Sequence, residues 1–106
     1  MKPEVYWLHF AEDKLDDIYT YYLLKAGKRT AQKIFIGIVD ATIGLEKQPE
    51  KGQIETDLSK REEEFRYLIY KNYKIVYWIN VHFGRIEIAN IFDTRQDLGP
   101  WEFIGE

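Results

Sequence analysis

The sequence predicts an α+β domain: an N-terminal strand, two antiparallel helices, and a three-stranded antiparallel meander with the helices packed on one face of the sheet. Three observations carry this reading. Residues 65–92 hold three β-branched and aromatic runs, FRYLIY, YKIVYWINV and IEIANIF, broken only by Lys71-Asn72 and by Phe83-Gly84-Arg85. Residues 11–48 carry apolar side chains at helical spacing, interrupted by Gly27 and stopped by Pro49. At 106 residues without a cysteine, the chain reads as one domain, 1–106, whose core is held by neither disulfides nor thiolate-bound metal.

The first strand is expected over 5–10, with Val5, Trp7 and His9 on one face and Tyr6, Leu8 and Phe10 on the other. Apolar residues on both faces suit a strand inside the sheet or one covered on both sides. From Ala11 the period becomes helical, with Leu15, Ile18, Tyr19, Tyr22 and Ala26 as the stripe, Glu12 and Asp13 at the positive end of the helix dipole, and Gly27 as the stop. A second helix is expected from Lys28 or Thr30 to Gln48, with Ile34, Phe35, Ile38, Ala41, Thr42 and Leu45 inward. Gly37 and Gly44 inside it would each cost about 1 kcal/mol if exposed. With Ala41 they form a strip of small residues that lets the first helix or the sheet come close. The polar stretch 50–63 reads as a surface loop in which only Ile54 and Leu58 are candidates for burial, and Arg61-Glu62-Glu63-Glu64 reads as a solvated lead-in.

A two-residue turn at Lys71-Asn72 pairs Tyr70 with Tyr73, Leu68 with Ile75, Tyr67 with Val76 and Arg66 with Tyr77. One face then carries Leu68, Ile75, Tyr77 and Ile79, the expected core. The other carries Phe65, Tyr67, Ile69, Lys74, Val76 and Trp78, an aromatic surface with a lysine set into it. A slip of one residue would exchange the faces, and Lys-Asn specifies the turn less strongly than Asn-Gly does. In the tail, Trp101, Phe103 and Ile104 are expected to fold back, with the open sheet face as the natural place.

The net charge of −3 and pI near 5.4 argue against a broad basic surface gripping bare nucleic acid, and against sequence-specific DNA binding by this chain alone. An aromatic content of 16% points to rings at a binding surface, although the tyrosine hydroxyl also tolerates half-exposure. His9 and His82 lack ligand spacing, no glycine-rich phosphate loop occurs, and Ser59 has no nucleophile context, so neither a metal nor a cofactor is expected. The run 5–10 is too short for a signal peptide or a membrane span, and a soluble cytoplasmic protein is expected. What remains is a cationic set: Arg66, Lys74, Arg85 and Arg95. Lys74 begins one strand and Arg95 follows the end of its antiparallel neighbour, so both are expected at one rim of the open face, positioned to bind phosphate or stabilise charge developing on it. Pairing with Glu87, Asp93 and Asp97 as ordinary surface ions is the alternative.

The order of elements, with Tyr73-Lys74-Ile75-Val76-Tyr77, Phe92-Asp93-Thr94-Arg95-Gln96-Asp97 and Leu45-x-x-x-Pro49-x-x-Gly52, resembles the RelE/ParE family of type II toxin–antitoxin toxins over nearly the whole chain. The resemblance implies a small toxin that arrests growth when freed from a cognate antitoxin. Its RelE-like branch cleaves mRNA in the ribosome with lysines of the second strand, an arginine early in the third, and an arginine with a tyrosine or histidine near the end of the last. Here those positions look like Phe65 and Tyr67, Lys74, Arg95 and Trp101. Phenylalanine and tryptophan cannot exchange protons, so most of the acid–base set is missing. That brings the chain closer to the ParE-like branch, whose characterised members poison DNA gyrase by binding. Arg66, Tyr67, Lys74, Trp78, Arg95 and Trp101 are then the expected target-binding residues, and Lys74 and Arg95 would be catalytic only in a ribosome-dependent endoribonuclease. A degenerate, non-toxic binding domain is the third possibility.

Overall fold

The computed structural model describes residues 3–56 and 63–95. Strand β1 (Glu4–Trp7) leads into helix α1 (His9–Ala26), then helix α2 (Lys28–Ile43) and a 3₁₀ turn (Gly44–Glu46), before β2 (Gln53–Ile54), β3 (Phe65–Tyr70), β4 (Tyr73–Asn80) and β5 (Arg85–Asp93). The sheet order is β1-β5-β4-β3-β2, with β1 parallel to β5 and the other neighbours antiparallel. The predicted α+β class, the helix hairpin and the meander are all present. Among the described residues no helix is long and apolar enough to cross a membrane.

The first strand is shorter than expected, because the chain changes from sheet to helix at a single residue. Leu8 keeps an extended backbone, donates its N–H to the Ile88 carbonyl at 3.0 Å, and accepts the first helical bond from the Glu12 N–H at 3.0 Å. His9 and Phe10 therefore belong to α1, and His9 lies exposed beside Glu12 and Asp13. β1 is an edge strand rather than an interior one. Val5 and Trp7 join the core under the helices, Glu4 and Tyr6 on the opposite face are exposed, and Leu8, just past the strand, joins a smaller cluster there.

Gly27 alone joins the helices. At φ 92° it lies in the left-handed region, where its N–H donates to Leu23 while its carbonyl accepts from Ala31. The second helix is shorter than expected: it tightens to a 3₁₀ turn at Gly44, a weak helix former, and Leu45 within that turn is fully buried. The strip of small residues acts at one point only. A Cβ on Gly37 would overlap the ring of Tyr70 from β3, whereas one on Gly44 would meet only the Lys51 ammonium at 3.6 Å.

The predicted register of β3 and β4 is the observed one, closed by Lys71 in the left-handed region at φ 52°. Leu68, Ile75, Tyr77 and Ile79 accordingly face the helices, where Ala11, Leu15, Ile34, Ile38 and Leu45 cover them. A bulge in β5, where Val76 faces Asn90 but Tyr77 faces Ile88, shifts the alternation by one residue. This shift lets Ile86, Ile88 and Ile91 all point into the same core, each fully buried. The opposite face is less open than expected, since Phe65, Val76 and Ala89 are buried there with Leu8, Phe10, Tyr67, Trp78 and Phe92 packed around them.

The stretch 50–63 is not only a loop. Gln53 and Ile54 pair with Tyr67 and Arg66 as a two-residue strand, too short to leave a period in the sequence. Ile54, expected to be buried, is 48% exposed on this edge. Leu58 and the start of the charged lead-in lie outside the described residues. The Tyr77 hydroxyl holds the approach to β2, donating to the Pro49 carbonyl at 2.7 Å and accepting from the Gly52 N–H at 2.8 Å.

Two outcomes follow for stability. Gly37→Ala should destabilise the fold by about 1–3 kcal/mol in urea denaturation, because Tyr70 must move, and Tyr70→Leu in the same background should recover part of the loss. Tyr73, almost buried with its hydroxyl bonded to Tyr22 at 3.3 Å, is pushed above the ordinary tyrosine pKa, chiefly by burial. Tyr77 is shifted the same way, also by burial. The folded state thus keeps these protons to higher pH than the unfolded chain, so their stabilisation is complete below about pH 10 and is lost as pH rises above it. The denaturation midpoint should fall as pH rises above about 10, and Tyr73→Phe should flatten that fall.

Candidate functional site

On the face away from the helices, Lys74 is held between rings and a carboxylate. Its ammonium pairs with Glu55, 4.1 Å from the centre of the Tyr67 ring and 5.9 Å from that of Phe92. The Lys74 side chain is 18% exposed and that of Glu55 4%. Glu55 arrives through β2: its N–H donates to the Phe65 carbonyl at 2.8 Å, extending the ladder by one position and turning the side chain onto this face. Tyr67 is anchored from the same strand, donating its hydroxyl to Gln53 at 2.8 Å.

Farther along the same face, Trp78 is fixed by a buried carboxylate. Glu87 accepts from Trp78 Nε1 at 2.8 Å, from Asn80 Nδ2 at 3.1 Å and from Arg85 Nε at 2.8 Å. The Arg85 guanidinium also lies 3.9 Å over Tyr6 and 5.0 Å from Phe83. Three donors, one of them the cationic Arg85, satisfy Glu87, leaving Arg85 neutralised beside an aromatic rim.

Arg66 and Arg95 are elsewhere. Arg66 shares its side of β3 with Leu68, on the helix-facing side, and donates to the carbonyls of Glu50 and Gly52 at 3.2 and 2.9 Å, with Glu64 at 3.5 Å. It clamps the approach to β2. Arg95 wraps Asp93, whose two oxygens accept from Nε at 3.1 Å and Nη2 at 2.9 Å. Those hydrogen bonds hold the Asp93 carboxyl well below the usual carboxylate range. Asp93 lies opposite Tyr73, and Lys74 lies opposite Phe92, so alternation sends Asp93 toward the helices and Lys74 away from them. There Arg95 lines a groove of about 440 Å³ with Lys14, Asp17, Tyr21, Tyr73 and Asp93.

The expected shared rim is therefore corrected: Lys74 and Arg95 sit at one end of the sheet but on opposite sides, each with its own carboxylate. Tyr67, Lys74 and Trp78 do share one face, and Trp101 lies outside the described residues. Among the described residues no three His, Asp or Glu side chains gather as a metal site would require. Of the two carboxylates that organise the face, sequence reasoning named Glu87 only as a possible surface ion partner and missed Glu55. Glu87, an acid between Ile86 and Ile88, was a visible signal, whereas Glu55 had none because its place depends on β2 pairing.

Lys74→Met should strand the buried Glu55 carboxylate and cost about 3 kcal/mol in urea denaturation. Adding Glu55→Leu should recover most of that loss, since removing both charges removes the unpaired one.

With this geometry in hand, comparisons with known proteins identify the family. No curated protein sequence matches the chain significantly. Among solved structures, a chain of the chromosomal ParDE TA system from P. aeruginosa superposes with a TM-score of 0.71 at 21% identity, over 87% of this chain and 96% of that one, a likeness of fold. The family model described as the ParE toxin of the type II toxin-antitoxin system parDE matches residues 5–98. Spanning β1 to beyond β5, that match means the chain belongs to the ParE toxin family.

Proposed function

We propose that this chain acts in the cytoplasm as the toxin of a type II toxin–antitoxin pair, arresting growth by binding a macromolecular target, DNA gyrase foremost, and that a cognate antitoxin neutralises it. One observation carries the choice of binding over cleavage. The two cations that could serve an mRNA endonuclease do not converge: Lys74 is neutralised by Glu55 on one side of the sheet and Arg95 by Asp93 on the other. In-line attack on a phosphodiester needs a base, an acid and a charge-stabilising group around one phosphorus. Phe65 and Val76, buried beside Lys74's neighbours, offer no proton. The part-exposed rings of Tyr67 and Trp78 instead present rigid, amphipathic contact area of the kind protein interfaces favour. The acidic net charge is in keeping with a protein target rather than ribosomal RNA.

Purified chain added to DNA gyrase should inhibit supercoiling or trap cleaved DNA, while ribosome-bound mRNA stays intact. Gyrase left untouched, together with mRNA cleavage that Lys74→Ala or Arg95→Ala abolishes, would overturn the reading in favour of an endoribonuclease. Induction of the chain without any growth arrest would mark a degenerate binding domain.

A further inference from the structure

The charges of this chain are segregated. From Ile18 to Val39 there is no Asp or Glu, but there are four cations, Lys25, Lys28, Arg29 and Lys33, while the rest of the chain carries eleven cations against eighteen acids. This stretch is the second half of α1, the Gly27 joint and most of α2. All four cations are exposed, and none has an ion-pair partner among the described residues. The sheet cations Arg66, Lys74, Arg85 and Arg95 differ in this respect, each being paired with a carboxylate.

Local physics disfavours this arrangement. Lys28 and Arg29 occupy the first turn of α2, which has no acidic residue and no side-chain cap, so two cations face the positive end of the helix dipole. Arg29 and Lys33 are a like-charge pair at i, i+4, which is also unfavourable. Set among these cations are apolar side chains that the fold leaves uncovered: Leu24 is 80% exposed, Tyr21 54% and Leu23 39%. A sequence that breaks helix rules at one tip, and leaves two leucines exposed there, answers to something other than folding.

We infer that the tip of the helix hairpin, built from Tyr21, Leu23, Leu24, Lys25, Lys28 and Arg29, is a docking surface for an acidic amphipathic segment of a partner polypeptide. Charge complementarity names the sign of the partner, because the tip's three unpaired cations, with Lys33 one turn beyond, on a chain of net charge −3 attract acids and repel a second copy of the same tip. The leucines name its class. Burying Leu23 and Leu24 rewards a partner that offers apolar side chains, which a phosphate backbone does not. The inference is independent of which target the toxin acts on.

The test uses the full chain and labelled helical peptides of about 20 residues. One peptide repeats Glu and Leu on opposite faces, and a second has Gln in place of every Glu. Duplex DNA and phosphatidylglycerol vesicles serve as the competing anionic surfaces. The Glu/Leu peptide should bind with an affinity that falls as salt rises, and the Gln peptide should bind about tenfold more weakly. Leu24→Ser should weaken the Glu/Leu peptide about tenfold with the melting temperature unchanged. Lys28→Glu separates docking from folding: it should raise the melting temperature, by relieving the clash with the helix dipole, while weakening the peptide. Equal binding of the two peptides, full binding by the Leu24→Ser and Lys28→Glu variants, or binding of DNA or vesicles without the Glu/Leu peptide would each overturn the inference.

Discussion

The buried hydroxyl of Tyr77 ties the helical layer to the sheet. It donates to the Pro49 carbonyl just beyond α2 and accepts from the Gly52 N–H just before β2, so one side chain of the central strand holds both sides of the crossover. Gly52 must lack a side chain there, because a Cβ would come within 2.7 Å of Tyr77 and 2.6 Å of the Tyr67 carbonyl. Arg66, from the adjoining strand, satisfies the carbonyls of Glu50 and Gly52. A polar segment that could not bury itself is thereby tied to the edge of β3, and the Leu45-x-x-x-Pro49-x-x-Gly52 spacing acquires its physical reason: a buried leucine, a carbonyl and a bare N–H at the distances one tyrosine can span.

From that anchorage the open face follows. β2 is short, yet its pairing delivers Glu55 to Lys74 and Gln53 to Tyr67, turning an aromatic surface with a free cation into one whose cation is internally balanced. Glu87 does the same for Arg85 while orienting the Trp78 indole. A sheet face organised this way is rigid and low in net charge. It suits recognition by shape and ring contact better than grip on a phosphate chain, whose affinity rests on uncompensated cations. Four cations without a carboxylate partner among the described residues, Lys25, Lys28, Arg29 and Lys33, stand instead on the helix hairpin, near the joint that Gly27 makes.

The two faces also differ in how they are held. Beneath the helices the core is continuous, with six residues of β4 and β5 at or near full burial around Ile38 and Leu45. Each such apolar side chain contributes about 1.5–3 kcal/mol by leaving water. On the other side, burial centres on Phe65, Val76 and Ala89, and the surrounding rings stay part-exposed. Most of the apolar burial therefore lies on the helix-facing side, and the opposite side leaves more of its rings in reach of contact.

The amino-acid sequence by itself determined the class, the helix hairpin, the meander and its register, because each rests on local signals: period, a glycine joint, a two-residue turn and alternation over six consecutive residues. It also carried the family through the order of those signals. Three things were decided only by the tertiary structure. The two-residue β2 has no period to read and exists because β3 offers it an edge. The bulge at Ala89-Asn90 reverses which residues of β5 face inward, so the side on which Asp93 and Arg95 lie could not be counted from the sequence. And Lys74 is neutralised by Glu55, a carboxylate distant in the sequence, whereas Arg66, Arg85 and Arg95 pair with acids two residues away. Local periodicity specifies elements; the balance of Lys74 is a long-range property, settled when β2 pairs with β3.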